Sequence, residues 1–182
     1  MTHPADEIAG AMFSASAKDR KAILTAYDFA EKAHGNEKRK SGDTYVTHPR
    51  AIALTLAKLG MDRDTIIAGM LHDTIEDGDG DATRQDIRAT FGEHVVALVD
   101  GCTDSDQKPK PPWKQRKEKY IAHSREASPE VLLIACADKL HNARCILADF
   151  RLHGNAVCEK FKPSRAETLW YYRSLADIYQ ER

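Results

Sequence analysis

No stretch of this chain sustains the period-two alternation of a half-buried strand, whereas apolar residues three and four apart recur almost throughout. That pattern confines the fold to packed helices. In AKDRKAILTAYDFAEKAHG, Ile23, Ala26, Tyr27, Ala30 and Ala33 share one face, and Gly35 ends the run. THPRAIALTLAKLG starts at a cap-like Thr47 with an early Pro49 and ends at Gly60. The segments DRDTIIAGMLHDTIED, TRQDIRATFG, EHVVALVDGCT, WKQRKEKYIAHS, SPEVLLIACADKLHNARCILADFRLHG and AETLWYYRSLADIYQ complete an all-α reading of about seven to nine helices. The length, 182 residues, suits one hydrophobic core, and residues 1–16 are expected to form a flexible or weakly helical extension of it. Two connections, GNEKRKSGDTYV and DSDQKPKPPW, are long, charged and marked by Pro or Gly, as functional loops often are.

Lys+Arg number 27 and Asp+Glu 28, for a net charge of −1, so bulk electrostatics do not hold this chain to nucleic acid. The N-terminus carries acids and no basic n-region, and the longest unbroken apolar run, VLLIACA, is too short to cross a bilayer. No signal peptide or membrane span is expected. Cys102, Cys136, Cys145 and Cys158 show no CxxC spacing and fall mostly in apolar helical context, which predicts reduced thiols and a cytoplasmic protein.

Chemistry concentrates in three places. In GMLHDTIEDGDG, a helix over 62–77 would stack His72 above Glu76 and Asp73 above Asp77, gathering acids at a helix end that itself carries partial negative charge. Water or a cation must offset them. A calcium loop beginning at Asp77 fails, because Ala82 stands where the turn glycine belongs and Arg88 where the bidentate glutamate belongs. In VLLIACADKLHNARCIL, Asp138 follows seven apolar residues and is carried near the core, where a carboxylate needs a counter-charge; a metal, Arg144 or a helix cap could each supply one. In YVTHPR, Pro49 at a helix start fixes the point from which His48 projects. His3, His34, His94, His123 and His153 read as ordinary surface or core histidines. Two imidazoles and two carboxylates without thiolate favour Mn²⁺, Fe²⁺ or Zn²⁺ over Ca²⁺.

The ordered set His48, His72-Asp73 and Asp138 resembles the HD-domain metal-dependent phosphohydrolases. HGNEKRKSGDTYVTHP, GMLHDTIEDGD, FGEHVVALVDGCTD and ADKLHNAR together resemble, more narrowly, the hydrolase domain of RelA/SpoT homologues and its free-standing form, the small alarmone hydrolases. The resemblance implies an HD-type helical bundle that removes the 3′-pyrophosphate of (p)ppGpp or (p)ppApp. It implies Mn²⁺, with other divalent transition metals as alternatives, held by His48, His72, Asp73 and Asp138, and Glu76 and Asp77 handling the attacking water. It further implies substrate contacts from Arg39, Lys40, Ser41, Asn142 and Tyr172. Bifunctional relatives continue into a synthetase domain, so a chain ending here is expected to degrade alarmones without making them. Asp104 departs from the lysine common in those relatives, and the loop after it is unlike theirs, which leaves base and phosphate specificity open. Most lysines of KPKPPWKQRKEK are expected on a solvated helix face, with Lys139, Arg144 and Arg173 better placed to reach phosphate. Rival readings are an HD phosphohydrolase for another nucleotide, such as NADPH or a dNTP, and a non-catalytic nucleotide sensor.

Overall fold

The computed structural model describes residues 2–39, 42–160 and 163–182. Lys40 and Ser41, both expected at the substrate, lie outside the described residues. The chain folds as α1 (Asp6–Ala11), α2 (Ala17–His34), α3 (Thr47–Lys58), α4 (Arg63–Leu71), α5 (Thr74–Asp77), α6 (Gly80–Phe91), α7 (Glu93–Cys102), α8 (Trp113–Glu126), α9 (Pro129–His153) and α10 (Arg165–Glu181), with a 3₁₀ segment Gly154–Lys160 before the last. The all-α expectation is met: among the described residues the only β feature is an isolated bridge between Lys38 and Thr44, which closes the loop carrying Arg39.

Local sequence explains most boundaries. Ser16 and Asp19 form a reciprocal capping box for α2, and Ser164 and Glu167 do the same for α10. Ser128 caps α9 ahead of Pro129, whose missing N–H would have no helical partner there anyway. Asp62 accepts from the backbone N–H groups of Asp64 and Thr65 to start α4. Thr47 opens α3 without capping it; its hydroxyl donates back to the Thr44 carbonyl at 2.7 Å.

Helix α4 is the central rod. Every residue from Thr65 to Leu71 is buried, and α2, α3, α7 and α9 pack around it. Helix α3 comes closest because Gly69 has no side chain: a Cβ there would lie 2.4 Å from Leu56 Cδ1 and 3.4 Å from Ile52 Cγ2. The predicted face of α2 is correct at Ile23, Ala26, Tyr27 and Ala30, but its last inward position belongs to His34 while Ala33 is exposed. Within the N-terminal segment α1 packs on α2 and α3, with Ala5 and Ile8 fully buried.

No helix of the described residues is long and apolar enough to cross a membrane.

Candidate metal centre

The expected continuous helix over 62–77 is broken. Helix α4 stops at Leu71, Asp73 adopts φ −112° and ψ 1°, and α5 is a single turn beginning at Thr74. Thr74 Oγ donates to the Leu71 carbonyl at 2.7 Å and so secures the break. Its consequence is that His72 and Asp73 leave the stacked register a straight helix would impose.

Three helices then converge. His48 enters from the first turn of α3, His72 from the end of α4 and Asp138 from the middle of α9, and all three are buried. His48 Nε2 lies 3.1 Å from Asp138 Oδ1, and His72 Nε2 lies 3.8 Å from the same oxygen. One donor atom from each falls within 4.8 Å of the others, the spacing of ligands around a single ion. Asp73 Oδ2 borders this group, 3.7 Å from His72 Nε2. Burial pushes the His48 imidazole down to about 4 despite Asp138 beside it, so the ring is neutral and keeps a lone pair to donate. Burial also works against charge on Asp138, but Lys139 first, and His48 and His72 with it, hold that carboxyl well below the usual range.

Several neighbours of this group were not singled out by sequence. His34, expected to be ordinary, is buried with its Nε2 3.2 Å from Asp73 Oδ1 and its Nδ1 4.0 Å from Asp77 Oδ2, yet neither ring nitrogen is aligned for a hydrogen bond. It stacks on Tyr45, whose hydroxyl donates to Asp73 Oδ2 at 2.8 Å. His141 Nδ1 meets His48 Nδ1 at 2.8 Å, which turns His48 Nε2 toward the centre. Periodicity offered no signal for His34 or His141; the only available one was that each lies within a few residues of a motif already noted. His72 is oriented in the same manner, its Nδ1 3.1 Å from the Gly69 carbonyl, which leaves Nε2 facing Asp138.

These donors fit a divalent cation, since they are imidazole nitrogens and carboxylate oxygens in a buried cleft. Beside them Asp73, whose buried Oδ1 has no hydrogen-bond partner, forms a second such group with His34 and Asp77.

Around the centre lies a cleft of about 270 Å³ lined by Arg39, Glu76, Asp77, Lys117, Lys139 and Asn142 among others. Arg39 Nη2 donates to Asn142 Oδ1 at 2.8 Å, and Asn142 Nδ2 donates to Asp138 Oδ1, so two residues expected at the nucleotide are joined to the metal group. Glu76 and Asp77 face the cleft together. Burial raises the Asp77 pKa, and the charges of Asp73 and Glu76 raise it further. Lys110, from the loop before α8, pairs with Glu76 Oε1 at 2.8 Å and reaches Asp77 Oδ1 at 3.6 Å. Tyr172 instead lines an adjoining apolar groove with Ala143, Ile146 and Phe150. Arg144 and Arg173 are exposed, whereas Lys139 lines the cleft. The lysine run before and along α8 is only partly the solvated face expected: Lys110 meets the acidic pair, Lys117 is mostly buried, and Lys114 Nζ sits 3.0 Å from the centroid of the Trp170 ring.

Comparison with known proteins gives this geometry a lineage. The family described as HD domain matches residues 26–162. The chain is 41% identical over 155 residues to the guanosine-3′,5′-bis(diphosphate) 3′-pyrophosphohydrolase of Aquifex aeolicus (strain VF5), a match covering 85% of this chain and 21% of that protein. It is 35% identical over 162 residues to the bifunctional (p)ppGpp synthase/hydrolase SpoT of Escherichia coli (strain K12), covering 86% and 21%. It thus spans about a fifth of the length of these curated relatives. A crystal structure from Listeria monocytogenes EGD-e superposes with a TM-score of 0.65 at 31% identity, over 73% of this chain and 83% of that one. A metazoan ortholog of SpoT, described as hydrolysing ppGpp, shares the fold with a TM-score of 0.62 at 24% identity, over 92% and 96%. The match over residues 26–162 takes in His48, the His72-Asp73 pair and Asp138, and the chain belongs to the HD domain family.

Proposed function

We propose that this chain is a metal-dependent phosphohydrolase that removes the 3′-pyrophosphate of alarmone nucleotides, (p)ppGpp or (p)ppApp, in the cytoplasm. The observation that carries this reading is the convergence of His48, His72 and Asp138 beside Asp73, with the Glu76-Asp77 pair facing the same cleft. The names of the two curated relatives support the substrate class.

His48, His72, Asp73 and Asp138 would hold the ion, for which we propose Mn²⁺. A divalent cation there would offset phosphate charge and make a water molecule more acidic. Glu76 and Asp77 take up or relay the proton of the attacking water. They are adjacent, and burial together with the charges of Asp73 and Glu76 raises the Asp77 pKa, which suits that residue to exchanging a proton. Lys110 steadies the two carboxylates. Arg39 offers a planar cation to stack on a purine, and Asn142 fixes its orientation through their hydrogen bond. Lys40, Ser41 and Tyr172 complete the proposed nucleoside contacts.

The test is to incubate the purified chain with Mn²⁺ and ppGpp, ppApp, NADPH or dNTPs and to resolve the products. Pyrophosphate released from an alarmone supports the reading, and release from none of them rejects it. Asp73→Ala is expected to abolish both metal binding and turnover. Glu76→Gln is expected to retain metal and to slow turnover by about 10²-fold or more, as loss of a proton-transfer group does.

A further inference from the structure

Behind one wall of the cleft, two cations of α8 share a single buried carboxylate. Asp104, whose side chain is 6% exposed, faces two cations from α8: Arg116, and Lys117 with its Nζ at 2.9 Å. Both cations are themselves mostly buried, at 14% and 16% exposure. Lys139, the third cation on this wall, is committed to Asp138. One carboxylate therefore serves two buried positive groups, and buried charge is costly without a partner.

The ammonium of Lys117 is the member of the group that faces the reaction. It lines the cleft with Glu76, Asp77, Asp138 and Lys139, between the rings of Tyr120 and Tyr171 at 5.9 and 5.1 Å. Asp104 and Tyr120 fix its position, so it is not a freely moving surface lysine. From this geometry we infer that Lys117 is a phosphate-binding residue, with Asp104 as the anchor that aims it: it binds the 3′-pyrophosphoryl group while water adds to the inner phosphorus and the bond from that phosphorus to the 3′ oxygen breaks, the 3′ oxygen leaving as the nucleoside hydroxyl, and it then holds the pyrophosphate product. Burial, and then repulsion from Lys139 and Arg116, pull Lys117 down to about 7, although Asp104 lies beside it. Asp104, the departure from the lysine of longer relatives, thus gains a role.

This inference rests on the pyrophosphohydrolase reading, and its test separates the two. The full chain loaded with Mn²⁺ is titrated calorimetrically with inorganic pyrophosphate, alongside Lys117→Met, Lys117→Arg and the exposed-lysine control Lys119→Met. Lys117→Met is expected to weaken pyrophosphate binding about tenfold or more, the usual cost of losing a hydrogen bond to a charged group. Its Mn²⁺ affinity and melting temperature should stay at the wild-type level, Lys117→Arg should recover part of the affinity, and Lys119→Met should match the wild type. In turnover assays the loss should fall on KM more than on kcat. Unchanged pyrophosphate affinity in Lys117→Met, or a loss matched by lost Mn²⁺ binding, overturns the inference. If no alarmone is hydrolysed yet Lys117→Met alone loses pyrophosphate affinity, the reaction assignment fails and the phosphate subsite stands.

Discussion

Tyr45 and His34 both contact Asp73. The Tyr45 hydroxyl donates to Asp73 Oδ2, and His34 Nε2 lies 3.2 Å from Oδ1, so both carboxylate oxygens are bordered by residues outside the proposed ligand set. Neighbours of this kind raise metal affinity by about 10–100-fold in other sites. Tyr45→Phe is accordingly expected to lower Mn²⁺ affinity by about tenfold, measured by competition with a fluorescent chelator, with little change in melting temperature. His48, His72, Asp73 and Asp138, the proposed ligands, stand out in the sequence because each breaks a local rule: a histidine ahead of a helix-starting proline, a His-Asp pair behind an apolar run, an acid after seven apolar residues. Tyr45, His34 and His141 break none. Their importance arises only when α2, α3 and α9 are brought together, and no spacing within one helix encodes that.

At the level of elements, the approach of α3 to α4 is what lets His48 and His72 meet, with ring centroids 5.2 Å apart. That approach depends on Gly69. The Cβ added by Gly69→Ala would collide with Leu56, forcing the two helices apart or Leu56 into another rotamer. We expect a destabilisation of about 1–3 kcal/mol, typical of overpacking, together with weaker metal binding, both readable in melting curves with and without Mn²⁺. The start of α4 carries a prediction of its own. Burial raises the Asp62 carboxyl, but hydrogen bonds from Thr65 and Asp64 outweigh it and lower the pKa below 3.8. A lowered folded-state pKa means the stabilisation is present above the unfolded value and is lost as pH falls through the folded one. Asp62→Ala should therefore cost about 1 kcal/mol near neutral pH, and its deficit against the wild type should shrink below about pH 4. Helix identity was readable from periodicity, whereas the break at His72-Asp73 was not. The letters on either side, LHDTIED, are compatible with a continuing helix, and tertiary contacts to His34 and Tyr45 favour the turn.

For the molecule as a whole, α10 packs on α8 and α9, and α8 supplies Lys117 and Tyr120 to the cleft. Leu175 on α10 is 1% exposed, so Leu175→Ala should destabilise the fold by about 2–5 kcal/mol in urea titration. The proposed ligands come from α3, α4 and α9, so the folded fraction of that variant should bind Mn²⁺ with wild-type affinity. An all-helical architecture was legible from the chain because its pattern is uniform. The place of α1 was not, since Asp6–Ala11 is too short for periodicity to separate packed helix from frayed end. The two-residue link between α4 and α5 also bears on how this sequence can diverge. A helix advances about 100° per residue, so one residue inserted between Leu71 and Thr74 would swing Glu76 and Asp77 away from the cleft while leaving every hydrophobic contact of α4 available. The connection from Thr103 to Pro112 can lengthen by the same amount at an entropic cost of only a few tenths of a kcal/mol. Length variation in descendants of this chain should accumulate in that connection and be purged from the link, so a gap at residues 72–73 would mark a homologue that keeps the fold and has lost the reaction.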